Sequence, residues 1–201
     1  MTVVTLRDRK KAETRQRLSR TALALFERRG VEAVTIEEIA AEAAIGKGTV
    51  YNYYRSKDDI LIEFLAGVEA QALAAIANPR TKDRTAAHVL NQAAWSLLAC
   101  KAEHYQFARL VLARIVSGDA EFKERTLVFS TAIIKAFTAM FEKLKRDGLI
   151  GEQSDANDLA LQFTVLHMGL SSFWASEGPP FANAKRITRR QTEIFANGSA
   201  S

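Results

Sequence analysis

One cysteine, three prolines and ten glycines are spread over 201 residues. A lone thiol, Cys100, supports neither a disulfide framework nor a multi-cysteine zinc site within the chain, and it reads as a small buried apolar residue. With so few breakers, and much Ala, Leu, Glu and Arg, the composition favours helices. No segment alternates Val, Ile and Thr between Asn-Gly or Asp-Gly turns, so strands are not expected. Long apolar runs are also lacking. The most apolar long segment, 159–174, is interrupted by Gln162, His167, Ser171 and Ser172, which argues against a membrane span. The first residues hold no apolar core before a cleavage site and become a charge run after Leu6, so a secretory leader is not expected and a cytoplasmic location is. A Gly-rich phosphate loop, a paired-acid cluster and a nucleophile motif are all missing. No catalytic residue, cofactor or metal site is therefore expected, and His104 and His167 show no metal-ligand spacing.

What is present is ordinary for a soluble globular chain: 48% hydrophobic and 25% charged residues. The charge is unevenly placed. The first twenty residues carry seven lysines and arginines against two acids, which accounts for the whole net charge of +5. Such a cluster is either a contact for a polyanion or a solvated basic face.

Helical periodicity and punctuation organise the chain into about nine helices. The first is expected from about Arg9 to Arg29, with Leu18, Ala22, Leu25 and Phe26 on one face and Gly30 as its stop. The second starts at Thr35, where Thr35 and Glu38 form a capping box and Val34 and Ile39 a hydrophobic staple. After a turn at Ala44-Ile45-Gly46 comes a short third helix, about Lys47 to Tyr53, and Ser56 caps a fourth that ends near Asn78-Pro79. Longer helices follow at about 83–101, 104–116, 120–146, 155–176 and 183–196. The fold class is all-α, divided into a helix-turn-helix domain at 1–56 and a helical ligand-binding and dimerisation domain at 57–201.

Residues 35–57 carry the functional signal. Two short helices joined by a tight turn, braced by the helix before them, make a helix-turn-helix. Its second helix has a thin, basic, donor-rich start in Gly46, Lys47, Gly48 and Thr49. Val50 and Tyr54, four apart, face inward, which turns Tyr51 and Asn52 outward and leaves Tyr53 on the edge. This suits entry into the major groove of double-stranded DNA. Lys57 is placed as a phosphate anchor.

The stretch from about Arg15 to Leu65 resembles the DNA-binding domain of the TetR family of bacterial repressors. The resemblance rests on Ala24-Leu25-Phe26 with Gly30, on Thr35 to Ala40, on Lys47-Gly48-Thr49-Val50-Tyr51, on Tyr53-Tyr54, and on Ser56-Lys57 followed by Leu61. It implies DNA contacts by Thr35, Lys47, Gly48, Thr49, Tyr51, Asn52, Tyr53 and Lys57, with Asn52 at a variable position. Two residues depart from the commonest pattern. Ala44 stands where glycine often takes the left-handed turn, and Gly46 where serine often caps the recognition helix.

Beyond residue 65 the resemblance lies in length and helix count. The segment 159–174 is apolar round nearly its whole circumference, so a helix there needs cover on every side. A second copy of the chain is one source of that cover, and a larger monomer is the other. The family plan implies a homodimer through the last two long helices, a palindromic operator, and a small-molecule effector held by the middle helices. Trp95, His104, Phe107, Phe137, Met140 and His167 are the candidate lining, each also able to serve as core. The expected function is a ligand-responsive transcriptional repressor, not a membrane protein. The alternatives are an enzyme, or a helical interaction protein whose basic head binds a non-DNA acidic partner.

Overall fold

The computed structural model describes residues 5–77, 79, 81–82, 84–102, 105–118 and 120–198. Among these residues the chain is helical throughout: α1 Leu6–Arg29, α2 Ile36–Glu42, α3 Lys47–Tyr51, α4 Lys57–Ile76, α5 Ala86–Ala99, α6 Tyr105–Val116, α7 Ala120–Arg146, α8 Ala156–Glu177 and α9 Ala182–Gly198. It divides into two compact units, Met1–Leu65 and Ala66–Ser201, with the division inside α4.

In the first unit, α1 begins three residues before the expected Arg9. Thr5 accepts from the Asp8 amide at 3.2 Å, and the Asp8 carboxylate accepts from the Thr5 amide at 3.1 Å. This second capping box satisfies two otherwise free N–H groups. Leu18, Ala22, Leu25 and Phe26 form the buried face of α1, as the periodicity predicts. The Thr35–Glu38 box at the start of α2 is present at 2.8 and 3.2 Å, and both staple residues, Val34 and Ile39, are fully buried. Arg29, in the last turn of α1, ties the two helices together by pairing with Glu38 at 2.7 Å and donating to the Ala33 carbonyl at 2.9 Å.

The turn after α2 is a Schellman motif. The Ile45 amide donates to the Ala40 carbonyl at 2.9 Å, and the Ala44 amide to that of Ala41 at 3.0 Å. This geometry needs a left-handed residue, and Ala44 supplies it at φ 51°. The left-handed conformation costs an alanine about 1–2 kcal/mol. α3 ends two residues short of the expected Tyr53, because Asn52 and Tyr53 bond to carbonyls three residues back, those of Thr49 and Val50.

The second unit is built on a long apolar core. Phe137 and Phe141 of α7, Phe163 of α8 and Phe195 of α9 meet edge to face or tilted, with ring centres 4.9–6.0 Å apart. Val89, Leu90 and Leu97 of α5 join the same core. A smaller cluster holds Leu98, Ala108, Trp174 and Phe181, with Trp174 and Phe181 stacked at 4.8 Å. There the Tyr105 hydroxyl donates to the Ala175 carbonyl, next to the left-handed Gly178, where a Cβ would stand 3.3 Å from that hydroxyl. α8 buries only part of its apolar circumference: Leu161, Val165, Met168 and Phe173 remain exposed, as does Ile194 of α9.

Candidate nucleic-acid interface and ligand site

The scaffold of the first unit holds α3 with its inner side anchored. Val50 and Tyr54 are fully buried. The Tyr54 hydroxyl donates to Glu63 Oε1 at 2.9 Å, and Arg15 of α1 meets Glu63 Oε2 at 2.6 Å while covering the Tyr54 ring. Burial, and then the bond to Glu63, raise the Tyr54 hydroxyl above the ordinary tyrosine value, so it remains a donor through the neutral range.

With that side fixed, the residues singled out in the sequence lie as follows. Lys47, Gly48, Thr49, Tyr51 and Asn52 are exposed on and just after α3, Thr35 is exposed at the cap of α2, and Tyr53 is half-buried. Gly46 makes no side-chain cap, which leaves the α3 N-terminus open. Lys47 pairs with Glu37 at 2.5 Å, and that hydrogen bond raises the lysine and lowers the glutamate from their usual values. Both partners are more than half exposed, so an incoming phosphate exchanges with Glu37 at little cost. Lys57 is differently placed. Its ammonium donates to the Val31 and Glu32 carbonyls at 2.7 and 3.4 Å and thereby holds the α1–α2 loop. The two bonds leave the third N–H of the ammonium for a phosphate.

The start of α1 adds a feature the sequence left open. Arg7, Asp8, Lys10, Lys11 and Thr14 line an open groove together with Tyr53, with three cations against one carboxylate. The basic cluster thus lies beside the edge of the recognition helix. The signal for it was the Thr5-x-x-Asp8 box, which starts α1 early enough to carry those side chains on a helix.

In the second unit the candidate ligand residues fall into two places. Phe137, Met140 and His167 are buried, and the Phe137 and His167 rings stand 6.4 Å apart. Phe107 is also buried. Trp95 packs on the smaller cluster, with the Lys185 ammonium 5.3 Å from its ring centre. His104 lies outside the described residues.

Sequence reasoning missed a buried polar group in this unit. Glu69 of α4 and Lys101, just beyond α5, are 4% and 7% exposed and face each other at 3.6 Å. His167 is close enough to Lys101 to feel its charge. Burial, and then Lys101, lower the imidazole from its usual value to about 3, so it is neutral at physiological pH. One of its nitrogens, Nε2, meets the Ser171 hydroxyl at 3.3 Å. Among the described residues, three buried side-chain polar atoms have no hydrogen-bond partner: Glu69 Oε2, His167 Nδ1 and Trp174 Nε1. Each unsatisfied group costs about 1–3 kcal/mol, which a bound molecule can recover.

The family described as bacterial regulatory proteins, tetR family, matches residues 18–64. That match is confined to the helix-turn-helix segment, from within α1 to within α4. An uncharacterized HTH-type transcriptional regulator of Bacillus subtilis, YerO, is 40% identical over 50 residues, which is 25% of this chain and 17% of that relative's length. Solved TetR-family structures share the whole fold. A putative regulator from Syntrophomonas wolfei is 17% identical with a TM-score of 0.76, covering 94% of this chain and 97% of that one. Thermus thermophilus FadR, a TetR-family repressor solved with lauroyl-CoA, is 20% identical with a TM-score of 0.65, covering 93% of this chain and 95% of that one. Among the described residues no helix is long and apolar enough to cross a membrane, and no group of His, Cys, Asp or Glu is placed to hold a metal ion.

Proposed function

We propose that this chain is a transcriptional repressor that reads a palindromic operator as a homodimer and is released by a small apolar or amphipathic effector. Residues 1–56 read DNA, residues 57–201 bind effector and partner, and the protein works in the cytoplasm. The observation that carries this reading is the exposed donor face of α3. Lys47, Gly48, Thr49 and Tyr51 are exposed on a helix whose other side is anchored by Val50 and Tyr54. Backbone N–H groups and Lys47 fix the phosphate register, while Thr49 and Tyr51 reach base edges and thymine methyls. The groove of Arg7, Lys10 and Lys11 adds phosphate neutralisation, which makes the affinity fall steeply with salt.

Dimerisation is supported by the uncovered stripe on α8, where Leu161, Val165 and Met168 recur at helical spacing next to Ile194 of α9. A two-fold axis through that stripe presents two readers to two half-sites. Effector control is supported by the unsatisfied polar atoms of the helical body and by the fold shared with an acyl-CoA-bound FadR. A coupling of about 1–3 kcal/mol between effector and operator suffices for release.

Selection of bound sequences from random DNA tests the reading. Recovery of one palindromic motif is the expected result, with Tyr51→Ala losing affinity for it while the dimer persists. A pool without a common motif overturns the assignment.

A further inference from the structure

We propose that the effector site is organised by the buried Glu69–Lys101 pair, and that its ligand is an apolar molecule bearing one uncharged group that both donates and accepts a hydrogen bond, such as an alcohol, phenol or primary amide. The inference rests on the effector reading above and names the ligand's chemistry.

Charge balance is the first argument. Glu69 and Lys101 face each other at 3.6 Å with almost no solvent access, so their charges cancel locally. An anionic head attracted to Lys101 meets the Glu69 carboxylate beside it, and a cationic head drawn to Glu69 meets the ammonium. In a low-dielectric interior neither added charge finds a counter-ion, and its desolvation is uncompensated. His167 supplies no compensating charge, because burial keeps its imidazole neutral.

The second argument is the set of free atoms. Glu69 Oε2 is an acceptor that lacks a donor, and Trp174 Nε1 is a donor that lacks an acceptor. His167 Nδ1 takes either role according to its tautomer, since Nε2 is engaged with Ser171. His167, Ser171 and Trp174 follow one another at spacings of four and three residues, on one buried face of α8. A hydroxyl or amide that donates to Glu69 Oε2 and accepts from His167 Nδ1, in the tautomer that carries its proton there, satisfies both atoms. The Phe137 ring, against His167, offers the apolar wall.

The experiment titrates the full chain with decanol, decanamide, decanoate and decylammonium, each below its micellar concentration. It follows the emission of the two tryptophans, Trp95 and Trp174. Decanol and decanamide are expected to bind at least about tenfold more tightly than either charged probe. Glu69→Gln is expected to turn the order toward decanoate, because it leaves Lys101 unopposed. The doubly neutral Glu69→Gln/Lys101→Gln variant is expected to keep the preference for uncharged probes, and it serves where the single variant does not fold. Equal or tighter binding of a charged probe by the native chain, binding of none of the four, or an unchanged order in Glu69→Gln overturns the proposal. Operator selection on the same protein keeps the two readings apart. A recovered motif without the probe pattern sinks only the ligand chemistry, and the probe pattern without a motif sinks the regulator.

Discussion

Tyr54 donates its hydroxyl to Glu63 Oε1 at 2.9 Å, so the residue closing the recognition segment is bonded to the first part of α4. Glu63 also holds Arg15 of α1 through its other oxygen, and thus joins three segments of the reader. Tyr54→Phe is expected to lose about 1 kcal/mol of stability in urea unfolding, the ordinary worth of one hydrogen bond. Glu63→Ala removes both bonds and strands the buried hydroxyl, so its loss should be larger. The Arg15 pair adds little of that difference, because Arg15 is about half exposed. Equal stability of Glu63→Ala and the native chain would show that this junction does not brace α3.

Ala44 holds a left-handed conformation at φ 51° with its side chain exposed. Glycine there relieves about 1–2 kcal/mol of backbone strain and gives back about 0.4–1 kcal/mol through the freer unfolded chain. Ala44→Gly should therefore raise the thermal midpoint slightly, and Ala44→Val should lower it. Calorimetry of the two variants checks the order.

Val165 is 64% exposed in the middle of the α8 stripe. Val165→Glu introduces a charge that a dimer seam would bury without a partner, at a cost of several kcal/mol. Sedimentation is expected to find the native chain dimeric and the variant monomeric, with unchanged helical circular dichroism. A native chain that sediments as a monomer would contradict the two-fold reading.

His167 has its folded-state proton affinity lowered from 6.5 to about 3 by burial, then by Lys101. In the unfolded chain the imidazole takes up a proton as pH falls below 6.5, and in the folded chain it does not. Acidification therefore favours unfolding, by up to about 1.4 kcal/mol per pH unit, from pH 6.5 downward. The carboxylates lowered in the fold, such as Asp155 at the α8 cap and Glu38 at the start of α2, add their own losses only near and below their ordinary values of 3.8 and 4.5. His167→Gln should flatten the stability profile between about pH 5 and 6.5 and leave the steeper acid limb in place. Urea titrations across that range read the difference in slope.

The local signals of the reader were legible residue by residue. The Thr35–Glu38 box, the staple of Val34 and Ile39, the inward pair Val50 and Tyr54, and a left-handed residue at position 44 all follow from bonds within a few residues. The early start of α1 is also written locally, in the capping pair Thr5 and Asp8 that precedes the charge run. Glu69 and Lys101 left a weaker trace. Each is a charged residue on a helical apolar stripe, four residues after Leu65 and Leu97 respectively.

The sequence alone determined the helix count, the capping and the reader, because helix ends and amphipathic faces depend on neighbours three and four residues away. Tertiary structure decided which buried residues are plain core and which form a polar centre. Glu69, Lys101 and His167 are far apart in the chain, and only helix packing brings them together. It also decided that the apolar circumference of α8 is covered on one side and open on the other, since burial belongs to the packed chain and no periodicity states where neighbouring helices stop.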